Sequence, residues 1–349
     1  MYEEFYGLSA KPFQLSPDPA FFFGSRGHKR AYAYLQYGLY QSEGFIVIAG
    51  EIGAGKTTIV RSLFEHMDSE KVVAAQLVST QLDADDLLRA VGLAYGLPVR
   101  TVTKAILLGS LEAFLCKLAT ENKRALLIVD EAQNLTPRAI EELRMLSNFQ
   151  FEDKALLQSF LIGQPELRTK MQGPNMQQLR QRIIASYHLG PLDRDETQSY
   201  IEHRLKHVGW KGDPSFEPAC FERIYALTGG IPRRINTLCN RLMLAGYLGE
   251  RHTLDAPDVD AIAREMREEL GPDATLGTIV DAPTSLPAER QVANAPADKL
   301  QDSPALQAHF RKIEERIDRL DRTVGAAVDL LHNLLHNAKA DEPGNPVGR

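Results

Sequence analysis

The chain has 349 residues, 44% of them hydrophobic and 25% charged, with a formal net charge of -6. This is an ordinary globular balance with enough apolar material for two domains, and the acidic total gives no support to a nucleic-acid binder. Cys116, Cys220 and Cys239 share no metal-ligand spacing and read as buried reduced thiols. The opening "MYEEFYGLSAKPF" is acidic and lacks the apolar stretch of a signal peptide, and no segment approaches the ~18 apolar residues that cross a bilayer. The expectation is a soluble, cytoplasmic protein.

Residues 1–44 are aromatic-rich and interrupted by Pro12, Pro17 and Pro19. Strand-like apolar runs then appear at 45–49, 72–78, 125–129 and 156–162, with a shorter fifth candidate at 186–189. Helical patterns lie between them at 57–67, 83–94, 104–119 and 136–147. Strands alternating with helices of this length predict a five-stranded parallel sheet covered by helices on both faces, an α/β domain over 1–191. After Pro191 the strands stop, and helical segments at about 194–207, 214–228, 232–248 and 256–269 predict a small all-helical domain over 192–270. Residues 271–304 are rich in Pro and Ala without sustained period, which predicts a flexible linker. Over 305–338, Leu306, Phe310, Ile313, Ile317, Leu320, Val324, Ala327, Leu331 and Leu334 form a heptad seam, with Arg316 and Asp321 at flanking g and e positions. This predicts an amphipathic coiled-coil helix. It would self-associate, dock on another protein, or pack back on its own domain. Residues 339–349 read as a disordered tail.

Residues 50–58, "GEIGAGKTT", follow an apolar strand and open a helix. Gly50–Thr57 matches G-x-x-x-x-G-K-[ST] in full and in the required strand–loop–helix context. Glycines let successive N–H groups turn toward phosphate oxygens, and the positive end of the following helix faces the same point. The candidate phosphate-binding residues are Gly50, Glu51, Ile52, Gly53, Ala54, Gly55, Lys56, Thr57 and Thr58. Lys56 supplies a point charge for the β- and γ-phosphates of ATP, and Thr57 a hydroxyl for Mg²⁺. The loop is expected to be exposed, with Lys56 packing on nothing.

"LLIVDEAQNL" at 126–135 places Asp130 and Glu131 at the carboxyl end of an apolar strand, the edge where parallel sheets gather ligands. Asp130 is the second candidate metal residue, and Glu131 the candidate that polarises the attacking water. A carboxylate directly after the metal-binding one points to hydrolysis and against a nucleotide held only as a structural ligand.

The phosphate loop, "DEAQ", "LIGQPEL" (161–167), "LRQRI" (179–183) and "GGIPRRIN" (229–236) occur in the order used by AAA+ ATPases. More narrowly, with "PFQLSPDPAFFFGSRGHKRAYAYLQYGL" at 12–39, the chain resembles the general secretion pathway protein A (ExeA-type) ATPases over about residues 1–268. Within them it is most similar to the putative secretion ATPases of exosortase/PEP-CTERM exopolysaccharide loci. The resemblance implies a P-loop NTPase (AAA+) fold with a helical lid. It implies that Gln164 is the sensor-1 residue and that Arg182 or Arg180 is the finger reaching a neighbouring subunit's nucleotide. Arg233 is the implied sensor 2, carried by the lid to the γ-phosphate. Arginine suits the finger role because its planar, permanently charged fork can stabilise a transferring phosphoryl group. Phe13, Phe22 and Phe23 either shape an adenine pocket or pack the core, and His28 reads as a surface residue at a helix start. Members of that family continue into a membrane span and a peptidoglycan-binding domain, in whose place this chain has the linker and coiled coil. Cell-wall binding is therefore not carried over.

The leading expectation is a cytoplasmic AAA+ ATPase acting as a switch or assembly factor in exopolysaccharide export or exosortase-linked sorting. It would assemble as a homo-oligomer through its ATP sites and coiled coil, and reach the inner membrane peripherally through a protein partner of an export system. The alternative is a DNA-associated regulator resembling transposition target-selection ATPases, but no Lys/Arg cluster interleaved with aromatics supports nucleic acid as a partner. A scaffold that binds ATP with negligible turnover is a third reading, and the acid pair argues against it.

Overall fold

The computed structural model describes residues 1–78, 81–99 and 102–270. The expected linker, coiled coil and tail lie outside the described residues. Helix α1 (Arg26–Gln41) precedes strand β1 (Phe45–Gly50), and α2 (Lys56–Glu65) follows it. Next come β2 (Val72–Val78), α3 (Ala84–Ala94), α4 (Lys104–Thr120), β3 (Arg124–Asp130) and α5 (Pro137–Leu146). A short antiparallel hairpin, Gln150–Phe151 with Lys154–Ala155, leads into β4 (Leu157–Gly163) and α6 (Pro165–Met171). Strand β5 (Ile183–Leu189) completes a sheet in the order β2-β3-β4-β1-β5, every neighbour parallel.

Alternation explains why this sheet needs helices on both sides. Phe45, Val47, Leu127, Val129, Leu157 and Leu161 point to one face, where α3, α4 and α5 bring Leu87, Leu111 and Leu143. Ile46, Ile48, Leu126, Ile128, Phe160 and Ile162 point to the other, against Ala31 and Leu35 of α1 and Ile59 and Leu63 of α2. Each fully buried Leu or Ile contributes roughly 2 kcal/mol relative to exposure. Edge strand β5 leaves Ser186 and His188 exposed and begins at Ile183, three residues before the expected 186–189.

The helical part comprises α7 (Arg194–His207), α8 (Pro218–Thr228), α9 (Pro232–Leu248) and α10 (Ala256–Leu270). Helix α8 starts later than the expected residue 214. Pro218 stands in its first turn, and Ser215–Phe216 instead bridge to Thr253–Leu254 as a two-residue parallel pair.

The buried aromatics of residues 2–21 pack with the helices after Pro191 and not with the sheet. Tyr2, Tyr6, Leu8, Phe13 and Phe21 join Ile201, Leu205, Ile224, Leu238 and Leu242 in one core. Buried Arg204 on α7 holds the opening segment there. Its Nε donates to Pro12 O at 2.6 Å, its Nη2 to Gln14 O at 3.3 Å and its Nη1 to the Tyr200 hydroxyl at 2.9 Å, with the guanidinium 4.8 Å over the Phe21 ring. Three directed donors and a ring face satisfy a buried cation that would otherwise be costly. Phe13 is 1% exposed and Phe23 packs against the same core, whereas Phe22 packs against the sheet-and-α1 cluster.

Candidate functional site

Strand β1 is buried along its length and ends at Gly50; five residues later Gly55, at φ +94°, caps α2. No side chain caps that helix, so the N–H groups of its first turn keep their capacity for an external anion. The loop is not the bare turn expected from sequence. Lys56 is 7% exposed, and its ammonium donates to Gly50 O at 2.6 Å and Glu51 O at 2.9 Å. A lysine at this spacing curls back over the loop that precedes it, so its charge already sits at the mouth of the cradle. Burial pulls its pKa down against the upward pull of Glu131, Asp130 and Glu51.

The acid pair closes the site from β3. Thr57 Oγ1 donates to Asp130 Oδ2 at 3.2 Å, which brings the two candidate metal residues together. Burial raises the Asp130 carboxyl above its ordinary range, opposed by the Glu131 N–H, which donates to Oδ1 at 2.9 Å. A desolvated ammonium and a desolvated carboxylate therefore face one site. Phosphate oxygens would relieve the first and a divalent cation the second, so the donor set fits a nucleotide with Mg²⁺. Thr57 and Asp130 would hold the cation, which would supply positive charge to offset that of the phosphates.

Glu131 sits at φ +52°, a left-handed conformation uncommon for a residue with a side chain. Its Oε2 accepts from Gln164 Nε2 at 3.1 Å and from Gln133 Nε2 at 2.5 Å. Gln133 also accepts the Gln164 N–H on its Oε1 at 3.0 Å. One amide side chain thus joins the end of β3 to the end of β4. There is no room for a side chain at Gly163, where a Cβ would fall 2.6 Å from Gln133 Oε1. Sequence reasoning missed Gln133; the only signal was its place three residues after Asp130 in "DEAQ".

The loop is gripped from both sides. From the helical part, the Arg233 N–H donates to Gly53 O at 3.2 Å and the side-chain stem lies over Gly53. From α1, His28 Nε2 meets Ala54 O at 2.9 Å. His28 is 6% exposed, which corrects its reading as a surface residue. It does stand at a helix start, beneath the Ser25 cap, with the imidazole turned inward against the loop.

The structure brings Gly50–Thr58, Asp130, Glu131, Gln164 and Arg233 to one edge of the sheet. Arg180 and Arg182 are not there. The register Phe45↔Ile183 and Gly50↔Leu189 puts them before the start of β5, at the opposite edge from the loop. Six residues of strand separate these edges by about 20 Å. Arg182 donates to Ser147 O at 3.1 Å, to Ser147 Oγ at 2.9 Å and to Asn148 Oδ1. Exposed Arg180 donates through Nη1 to Met171 O at 3.0 Å and Gly173 O at 2.9 Å.

In this sheet β4 stands between the loop-bearing β1 and the acid-bearing β3, so Gln164, the residue directly after β4, emerges between loop and acid and reaches Glu131. That interposition, with a helical lid touching the loop, is the AAA+ fold of P-loop NTPases, a nucleotide-binding architecture. A family model described as an AAA domain matches residues 39–171. The chain is similar to General secretion pathway protein A of Aeromonas hydrophila, 39% identical over 268 residues, which are 76% of this chain and 48% of that protein. This match supports the general secretion pathway protein A-like AAA+ family read from the motifs. The chain spans about half the length of that relative. Among solved structures, the chain is similar to ORC2 of Aeropyrum pernix (TM-score 0.53, 20% identity, 68% of this chain and 66% of that one). It is also similar to Cdc6p of Pyrobaculum aerophilum (TM-score 0.54, 17% identity, 75% and 70%). At these identities the likeness is one of fold. No helix among the described residues is long and apolar enough to cross a membrane.

Proposed function

We propose that this chain is a Mg²⁺-dependent ATPase that works as a switch or assembly factor in an envelope export system, either exopolysaccharide export or exosortase-linked protein sorting. The observation that carries the chemistry is the placement of Glu131 directly after the Thr57–Asp130 pair, its carboxylate aimed by Gln133 and Gln164. Lys56 and the first turn of α2 hold the β- and γ-phosphates. Glu131 orients and polarises the attacking water, and Gln164 stands between that carboxylate and the phosphate. Arg233, whose backbone already rests on Gly53, reports the state of the γ-phosphate to the lid.

An arginine at the far edge of the sheet cannot serve its own loop, so Arg180 or Arg182 acts on a neighbouring subunit. Arg180 is the better candidate, because both terminal nitrogens of Arg182 are engaged by Ser147 and Asn148. Such a site is complete only in a homo-oligomer. The export setting draws its support from the name of the Aeromonas hydrophila relative. The working location is the cytoplasm, with any attachment to the inner membrane made through a protein partner.

The test is ATP turnover and solution mass of the full chain with Glu131→Gln. Phosphate release should require Mg²⁺ and fall at least about a hundredfold in the variant, while ATP binding persists. Light scattering should show ATP building a larger assembly of the variant. Turnover unchanged in Glu131→Gln would remove Glu131 as the base, and absence of turnover in the unaltered chain would remove the ATPase reading.

A further inference from the structure

The loop's Ala54 carbonyl is held by a histidine from outside the phosphate motif. His28 lies in the first turn of α1, whose N-cap Ser25 Oγ accepts the His28 N–H at 3.2 Å and stands 2.7 Å from His28 Nδ1. The Phe22 ring meets the imidazole edge-on at 6.0 Å. Ala54 O can only accept, so Nε2 carries the hydrogen; Nδ1 is then the acceptor and the Ser25 hydroxyl its donor. Burial lowers the His28 pKa, in keeping with this neutral tautomer. The turn is anchored again two residues earlier, where the Arg26 N–H donates to Glu196 Oε1 at 2.9 Å on the first turn of α7.

The peptide between Ala54 and Gly55 is trans, so its C=O and N–H point in opposite directions. With the carbonyl drawn to His28, the Gly55 N–H is turned away from His28. A side chain at Gly55 would collide with the same imidazole, since its Cβ would fall 2.6 Å from Nε2. The geometry points to His28 as a positioning residue for the phosphate loop: by holding Ala54 O, it keeps the Gly55 N–H aimed at the phosphates of the bound nucleotide. This role rests on nucleotide binding and not on hydrolysis, so loss of the ATPase reading would leave it standing.

The decisive pair is His28→Gln and His28→Asn in the full chain. A glutamine amide nitrogen reaches the place of Nε2, whereas an asparagine reaches only the place of Nδ1. Affinity for a fluorescent ADP analogue is measured by anisotropy, and thermal unfolding is followed without nucleotide. Expected is binding within about threefold of the unaltered chain for His28→Gln and weakening of about tenfold for His28→Asn, with the two unliganded melting temperatures close together. Equal affinities in the two variants, whether both strong or both weak, would overturn the proposal. So would a loss in His28→Asn that appears only in melting temperature, because packing alone would then account for His28.

Discussion

The Cβ that Gly53 lacks would fall 2.3 Å from the Cβ of Arg233, whose backbone N–H donates to Gly53 O. The phosphate loop and the first turn of α9 therefore touch backbone to backbone, and a change in the loop reaches the lid without an intermediary. Gly53→Ala adds a methyl into that contact at φ +82°, where an L-residue is itself strained by about 1 kcal/mol. The variant should bind ADP at least about tenfold more weakly, and limited proteolysis should cut more readily between 190 and 235. Unchanged binding and cleavage would mean that the lid does not depend on this contact.

Lys56→Ala should lose nucleotide affinity by two orders of magnitude or more and stay folded. Two effects on stability oppose each other. The carbonyls of Gly50 and Glu51 lose their donor, at about 1 kcal/mol each, while the penalty of a desolvated ammonium disappears. Chemical denaturation should therefore shift by less than about 2 kcal/mol. Retained ADP binding would contradict the assignment of the lysine.

Gln133→Leu removes the amide that links Glu131 to the end of β4, and Gly163→Ala pushes on the same amide from the other side. If this amide aims the carboxylate, both variants should lower turnover about tenfold or more while ADP affinity stays within twofold. Loss in one variant alone would separate Gln133 from the water-activating geometry.

Arg180→Ala and Arg182→Ala should differ in kind. The first should lower turnover by roughly a thousandfold, the order of an arginine finger, and cost less stability than the second, because its bonds to Met171 O and Gly173 O come from one nitrogen of an exposed side chain. The second removes bonds to Ser147 and Asn148, so it should destabilise the fold by about 1–2 kcal/mol. In a mixture, Glu131→Gln and Arg180→Ala chains should recover part of the turnover, since each supplies what the other lacks. No recovery, with both singles inactive, would place the arginine within its own subunit's chemistry.

The sequence by itself determined the chemistry that depends on neighbours along the chain. G-x-x-x-x-G-K-T after an apolar strand can hardly do other than cup an anion, and two carboxylates closing the next core strand must arrive at the same edge of a parallel sheet. The apolar runs at 45–49, 125–129 and 156–162 are strong enough to be read without coordinates, because strands buried on both faces have no polar side to interrupt them. The tertiary structure alone decided what depends on contacts distant in sequence. His28 and Ala54, Gln133 and Gln164, and Arg233 and Gly53 are brought together only when the sheet closes and the lid docks. The same holds for the opening aromatics, whose composition fits a core and also a nucleotide pocket. Burial of Tyr2, Tyr6 and Phe13 among the lid helices, fixed by Arg204, settled their place through long-range packing that no local pattern encodes.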